Sequence, residues 1–310
     1  MMHKIIDKIP TDNIIAELTP DKFLRKTNKG GNEIYIVDAF NAPETMKEIG
    51  RLREISFRDA GGGTGLECDI DAFDTMDPPC RQMIVWNPDD KEIIGGYRFI
   101  LGRDIRLENG VPRIATSHMF DFSPQFIQDY LPYTLELGRS FVVPIYQTTG
   151  GRAKTIYALD NLWDGLGAIT VLNPDIKYLF GKVTMYPSFD RVCRDHILGF
   201  MHKHFPDRDN LVLPRSPLPT DADSPEIQNF FSGADYREDF RLLNNLVRTR
   251  GYNIPPLVNA YMALSPTMRV FGTAINDEFG DVEETGIFLS IEEILEEKKQ
   301  RHILTFSPNA

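Results

Sequence analysis

Apolar and polar positions along the chain alternate in short blocks, and the period of each block predicts an element. Glu33-Ile34-Tyr35-Ile36-Val37 is rich in β-branched and aromatic residues and predicts a first strand. From Pro43 to Phe57 the apolar residues Met46, Ile49, Leu52 and Ile55 recur at helical spacing, which predicts a helix. Met83 to Trp86 and Ile93 to Ile100 predict two strands, and Asn87-Pro88-Asp89-Asp90-Lys91 between them is a hairpin turn signal. Leu135 to Val143, closed by Pro144, predicts the next strand, with a helix from about Lys154 to Leu172 after it. A strand over Tyr178 to Tyr186 and a helix over Phe189 to His204 follow.

Past Pro206 the pattern changes. The stretch to Ser224 is polar and proline-rich, and Ser224 to Arg250 predicts a helix anchored by Phe230, Phe231, Phe240, Leu243 and Leu246. Ile254-Pro255-Pro256-Leu257 opens a short helix, and Met268 to Ile275 with Gly286 to Ser290 predicts a closing strand pair. The order β-α-β-β-β-α-β-α, then a helical insert and a β pair, implies an α/β (α+β) fold: a mixed, mostly antiparallel sheet flanked by helices. Residues 1–32 read as an N-terminal arm with one short helix, and 33–310 as one domain carrying the insert at 206–252.

Composition narrows the classes without naming a chemistry. With 42% hydrophobic and 25% charged residues the chain is an ordinary globular one. No apolar run approaches the ~18 residues of a membrane span. The start meets Asp7 and Pro10 too soon for a signal peptide. Cys68, Cys80 and Cys193 are scattered and odd in number, so neither a disulfide framework nor a CxxC zinc site is offered, and a reducing cytoplasm is the simplest home. A net charge of −11 speaks against nucleic acid as a partner.

The stretch Glu136-Leu137-Gly138-Arg139-Ser140-Phe141-Val142-Val143-Pro144-Ile145-Tyr146-Gln147-Thr148-Thr149-Gly150-Gly151 places a strand, a glycine-containing turn and a helix start in sequence. Backbone N–H groups at such a start attract an anion, although neither GxxxxGK[ST] nor GxGxxG is present. Glu136 and Arg139 interrupt an otherwise apolar strand, and such charges are rarely buried unless paired. A buried carboxylate there serves either as a general base or as half of a structural ion pair, and the pattern leaves both open. Asp69, Asp71 and Asp74 lack the glycine of a calcium loop, and an arginine–carboxylate network with Arg53, Arg98 or Arg139 is the expected arrangement. Gly61-Gly62-Gly63 reads as a mobile loop, and Cys193 beside His196 as a buried thiol next to a surface histidine.

These residues match a family pattern. Arg53-x-x-x-Phe57, Asp69-x-Asp71-x-x-Asp74, Gly96-Tyr97-Arg98 and Glu136-Leu137-Gly138-Arg139-Ser140-x-Val142 resemble both the acyl-homoserine-lactone synthases and the hemolysin-like N-acyltransferases that make ornithine and glycine lipids. Both groups have the GCN5-related acyltransferase fold. The ELGRSxV segment looks more like the lipid-forming branch, as do Asn253-Ile254-Pro255-Pro256-Leu257-Val258-x-x-Tyr261 and Gly272-x-x-x-x-Asp277-x-x-Phe279. The resemblance covers about residues 33–205 and 253–290. The phosphate loop departs from it: Gln147-Thr148-Thr149-Gly150-Gly151-Arg152 puts Arg152 where a small residue is usual. That suits a donor with a single phosphopantetheine phosphate better than the pyrophosphate of coenzyme A.

The resemblance implies transfer of a long, often 3-hydroxylated acyl chain from acyl carrier protein to the α-amine of an amino acid, glycine or ornithine. The alternatives are an acyl-CoA enzyme acting on another small amine and a non-catalytic subunit of a second acyltransferase in the same pathway. No permanently bound cofactor is implied; the donor is the carrier protein's phosphopantetheine thioester or acyl-CoA. Glu136 is the implied base, direct or through water, and a backbone N–H near Val142 the oxyanion donor. Gln147, Gly150, Gly151 and Arg152 are expected at the donor phosphate, with Arg53, Phe57, Arg98 and Arg139 at the acceptor. Arg152, Lys154, Lys182, Arg191 and Arg194 are expected to form a basic patch for the acidic carrier protein. An amphipathic product further implies peripheral contact with the inner membrane.

Overall fold

The computed structural model describes residues 2–147 and 157–308. The chain divides into two compact units: Met1–Arg106, Pro132–Lys177 and Glu296–Ala310 in one, Leu107–Leu131 and Tyr178–Leu295 in the other.

In the first unit β1 (Phe23–Lys26), β2 (Glu33–Val37), β3 (Arg81–Asn87), β4 (Glu92–Leu101) and β5 (Thr134–Val142) pair antiparallel in that order. Register assigns the faces. Gln82 pairs with Arg98, Arg98 with Gly138, and Ile100 with Glu136, so Gln82, Arg98 and Glu136 share one face. The helix α2 (Pro43–Ala60) packs on β5. Met83 points the other way, towards α4 (Ala158–Leu172), where the chain approaches so closely that a β-carbon at Gly165 would sit 2.2 Å from the Met83 sulfur. At the sheet itself Gly95 is equally constrained, with 2.5 Å between such an atom and the Phe141 carbonyl.

The pairing of β4 with β5 has one irregularity. Gly96 pairs with Phe141 and Arg98 with Gly138, so β5 spends one residue more than β4 between the two pairs. The extra residue is a β-bulge, and Arg139 takes it with φ 48, left-handed backbone that a β-carbon disfavours.

In the second unit β6 (Tyr178–Met185) pairs antiparallel with β8 (Val282–Ser290), and β8 with β7 (Arg269–Asn276). Their apolar face is built from Phe126, Phe180, Phe271 and Phe288, with ring centroids of neighbouring pairs 5.6 to 6.0 Å apart. Helix α5 (Arg191–His204) packs with α6 (Pro225–Phe230) and α7 (Tyr236–Thr249), and α8 (Pro256–Met262) follows.

The α/β order, the mostly antiparallel sheet and the flanking helices agree with the sequence reading, and three local expectations are revised. The N-terminal stretch holds a strand, β1, besides its short helix α1 (Thr11–Glu17). The helix expected over 224–250 is two helices, because Ser224 caps one and Asp235 the other, and Gly233 (φ 72) turns the chain between them. The glycine loop is fastened rather than loose. Buried Glu54 accepts hydrogen bonds from Thr64 N (3.1 Å), Thr64 Oγ1 (2.8 Å) and Gly65 N (2.7 Å).

Candidate active site

Three arginines and three aspartates meet on the α2 side of the first unit's sheet. Arg53 comes from α2, Arg98 from β4 and Arg139 from the bulge in β5. Asp69 and Asp71 lie in the loop after α2, and Asp71 starts the one-turn helix α3 (Ala72–Thr75) that carries Asp74. The turn is a reciprocal capping box: the Asp71 side chain accepts the Phe73 and Asp74 amides, and Asp74 accepts the Asp71 amide. That box turns both carboxylates towards the arginines.

Arg53 Nη1 lies 3.3 Å from Asp74 Oδ2, and Arg53 Nη2 donates to Gln82 Oε1. Gln82 Nε2 donates to Asp74 Oδ1 at 2.9 Å, closing a small ring. Arg98 Nη1 donates to both Asp71 oxygens at 2.7 Å and lies 3.4 Å from Asp74. Arg139 Nε donates to Asp69 Oδ2 at 2.9 Å, and Nη2 lies 3.5 Å from Asp71. Burial disfavours the Asp74 charge, but the Arg53 and Arg98 guanidiniums outweigh it and hold the carboxyl well below the usual carboxylate range. Against the cost of its own burial, Arg98 is raised well above its ordinary value by Asp74 and Asp71. Asp74 and Arg98 therefore stay charged, as buried ions must be paired to do.

Of the acceptor-side arginines, Arg53 is fully buried and Arg98 is 2% exposed. Arg139 is the most open, with 12% of its side chain accessible. Phe57 is buried on α2. Glu136 is 3% exposed in the middle of β5, on the same face as Arg98. Its charge, after burial itself, contributes to pushing the neighbouring Cys80 thiol up to about 12. Val143 N–H donates to Ile94 O at 2.8 Å, so strand alternation turns the Val142 N–H to the opposite edge of β5. Gln147 Nε2 donates to Val142 O at 2.6 Å. Gly150, Gly151 and Arg152 lie outside the described residues, as does Lys154.

Beside Val143 a cavity of about 230 Å³ opens against α2, floored by Leu52, Ile55, Trp86 and Ile93. Sequence reasoning passed over it, because its lining is gathered from separate segments: core residues such as Leu52 and Trp86, and the charged Lys8, Glu48, Arg51, Lys91 and Glu92.

Of the five residues expected to form a basic patch, three lie in the second unit. Lys182 is half-buried and bound to Glu284, Arg194 is bound to Asp195 (2.8 Å) and Glu283 (2.6 Å), and Arg191 is exposed. These carboxylates sit across the sheet or next in sequence, where a helix-face reading of α5 alone does not look. His196 is buried as well, its Nδ1 2.8 Å from Val192 O and its ring 5.2 Å from that of Phe230.

Comparison with known proteins places this arrangement. Residues 52–156 match the model of an acetyltransferase (GNAT) domain. A glycine N(alpha)-acyltransferase of Bacteroides thetaiotaomicron is 59% identical over 306 residues, covering 98% of this chain and 91% of the relative. A second protein of that name, from Phocaeicola vulgatus, is 56% identical over 306 residues, covering 98% of this chain and 94% of the relative. The chain belongs to this family of GNAT-related N-acyltransferases. It is an acyltransferase, and it brings an acyl donor and an amine acceptor together. Among solved structures it is similar to BjaI, a CoA-dependent acyl-homoserine lactone synthase solved with SAM and isopentyl-CoA. Identity is 12% and the TM-score 0.37, over 90% of this chain and 91% of that one. Similarity to the AHL synthase LasI covers 50% of this chain and 74% of that one, with 16% identity and a TM-score of 0.30.

Proposed function

We propose that this enzyme moves a long, 3-hydroxylated acyl chain from acyl carrier protein to the α-amine of glycine, as a step of aminolipid synthesis. The observation that carries the acceptor is near-complete alignment, at 59% identity, with a relative named for glycine. The donor rests on sequence: Arg152 occupies a small-residue position of the phosphate loop, which favours one phosphopantetheine phosphate over a pyrophosphate.

The reaction is thioester aminolysis. Glycine's ammonium gives up a proton, its nitrogen attacks the acyl carbon, the C–N bond forms, and the C–S bond breaks as the nitrogen's second proton passes to the departing thiolate and the carrier thiol is released. Glu136 takes the proton. Five residues of bulged strand separate it from Val142, a span on the order of 15–20 Å at ~3.3 Å per residue, so the transfer runs through water. The Val142 N–H steadies the tetrahedral oxyanion. Gln147 supports that strand end through its bond to Val142 O, with Gly150, Gly151 and Arg152 taking the donor phosphate. Arg139, the most accessible of the three arginines, borders the acceptor, while Arg53 and Arg98 hold the floor beneath it.

The product is amphipathic, and the enzyme delivers it at the inner face of the membrane. No helix among the described residues is long and apolar enough to cross a bilayer. Sedimentation with anionic liposomes checks this point, and complete recovery in the supernatant counts against it.

The decisive assay is mass spectrometry of products from purified enzyme given 3-hydroxypalmitoyl carrier protein or the matching CoA ester, with pooled amino acids. N-acylglycine formed from the carrier thioester alone supports the reading. Product from the CoA ester alone replaces the donor, and an acylated amine other than glycine replaces the acceptor.

A further inference from the structure

The acceptor reading leaves a charge to account for. An amino acid presents a carboxylate, yet Arg53, Arg98 and Arg139 are each committed to Asp74, Asp71 or Asp69. The cavity beside Val143 is bordered by three further cations, Lys8, Arg51 and Lys91. Lys8 is paired with Glu92 at 3.1 Å, and Arg51 holds Glu48 through two bonds of 2.7 and 2.8 Å. Lys91 alone of the three has no ion-pair or side-chain hydrogen-bond partner among the described residues.

Its backbone is a second, independent observation. Lys91 closes the β3–β4 hairpin with φ 55, a left-handed conformation that glycine or asparagine takes at less cost. This is ordinary geometry for a hairpin loop, and it fixes the direction in which the Lys91 side chain leaves the turn. Position is the third. Val143 lines the cavity and directly follows Val142, and the cavity's apolar floor keeps water away from one side of whatever enters.

Resting on the glycine reading, we infer that Lys91 receives the α-carboxylate of the acceptor amino acid in this cavity and so selects amino acids over plain amines. The volume of about 230 Å³ admits a small amino acid with water around it. Lys91 is an acceptor-binding residue in this assignment; it moves no proton.

The test compares glycine with glycinamide, which has nearly the same shape and no carboxylate, in wild type, K91Q, K91R and K91G. K91G suits the left-handed turn and guards against misfolding as the cause of any loss. The expected result is a KM for glycine raised on the order of 10-fold in K91Q and K91G, as a charge-assisted hydrogen bond is lost. In the same variants kcat, the KM for glycinamide and the KM for the acyl donor stay within about 2-fold, and K91R keeps most of the glycine affinity. An unchanged glycine KM in both K91Q and K91G overturns the assignment while leaving the glycine reading intact. So does an equal rise for glycine and glycinamide, or a rise in donor KM alone, which would mark Lys91 as a donor-phosphate contact. Wild type that acylates no amino acid overturns the function reading and this assignment with it.

Discussion

Replacing Arg53 with methionine removes one cation from the buried network while keeping the length of its stem. The guanidinium is fully buried, 3.3 Å from a fully buried Asp74 carboxylate, and it satisfies Gln82 Oε1. Breaking such a pair costs about 3–5 kcal/mol, because the remaining charge is stranded. Here Asp74 keeps Arg98 at 3.4 Å, the Gln82 amide at 2.9 Å and the Asp71 amide at 3.1 Å. The low end applies, about 3 kcal/mol. At ~2–4 °C per kcal/mol for a chain of this size class, the unfolding midpoint falls by roughly 6–12 °C. Differential scanning calorimetry reads it directly. A second substitution sharpens the argument: D74N in the R53M background removes the stranded charge, so the double variant loses less than the sum of the singles, with a coupling of about 1 kcal/mol or more. A fall under about 2 °C in R53M, or strict additivity of the pair, would refute the claim that Arg53 is a structural cation held by Asp74.

Three other outcomes rest on the same geometry. E136Q keeps the shape of a buried strand residue but not its basicity, so kcat in the acyl-transfer assay falls about 10²- to 10⁴-fold; activity within 10-fold of wild type removes Glu136 as the base. Asp74, with its folded pKa held below the unfolded value of about 3.9, contributes stability that is complete above that pH and drains as pH falls through the folded pKa. The melting-temperature gap between wild type and D74N therefore narrows below about pH 4, and a gap constant from pH 7 to 2 contradicts the sign of the shift. In G167A the new methyl would lie 2.1 Å from the His302 carbonyl, backbone that cannot swing aside, and overpacking of this kind costs about 1–3 kcal/mol; an unchanged urea midpoint would show that the 296–302 helix shifts freely.

The sequence carried the repeating elements well because their burial is one-sided. Leu52 and Ile55 of α2, and the β-branched run of β3, follow a period that survives whatever they pack against. The association of Arg53, Arg98 and Arg139 with the aspartates was also readable, since that many charges in apolar segments require partners. What periodicity cannot report is pairing register and its faults. The bulge at Arg139 exists only as a mismatch between β4 and β5, and no local pattern in ELGRSFV marks which residue is extra. The spending of Lys182 on Glu284 depends on a strand a hundred residues downstream, which likewise leaves no trace around Lys182. The split of the 224–250 helix was legible in Ser224, Gly233 and Asp235 but was outweighed by the apolar anchors on either side of it, Phe230 and Phe231 before and Phe240, Leu243 and Leu246 after.

The network and the bulge explain each other. Left-handed backbone at a non-glycine residue costs about 1–2 kcal/mol, and in a strand edge open to water Arg139 would shed that cost by sliding the register one residue. A slide would carry Glu136 to the other face of β5 and exchange it with Leu135 or Leu137, both now buried against the α4 side. Asp69 opposes this by holding Arg139 Nε at 2.9 Å, and Asp69 is itself placed by the amide-to-carbonyl bond of 3.1 Å that ties its backbone to Gly50 of α2. The arginines and aspartates thus also act as a clamp on the strand's register. A clamp of that kind predicts that D69N, which weakens the hold on Arg139 without touching Glu136, lowers kcat, because the carboxylate leaves the face on which it works. Unaltered kcat in D69N, with Arg139 still in its left-handed conformation in a crystal structure of the variant, would show that sheet packing alone sets the register.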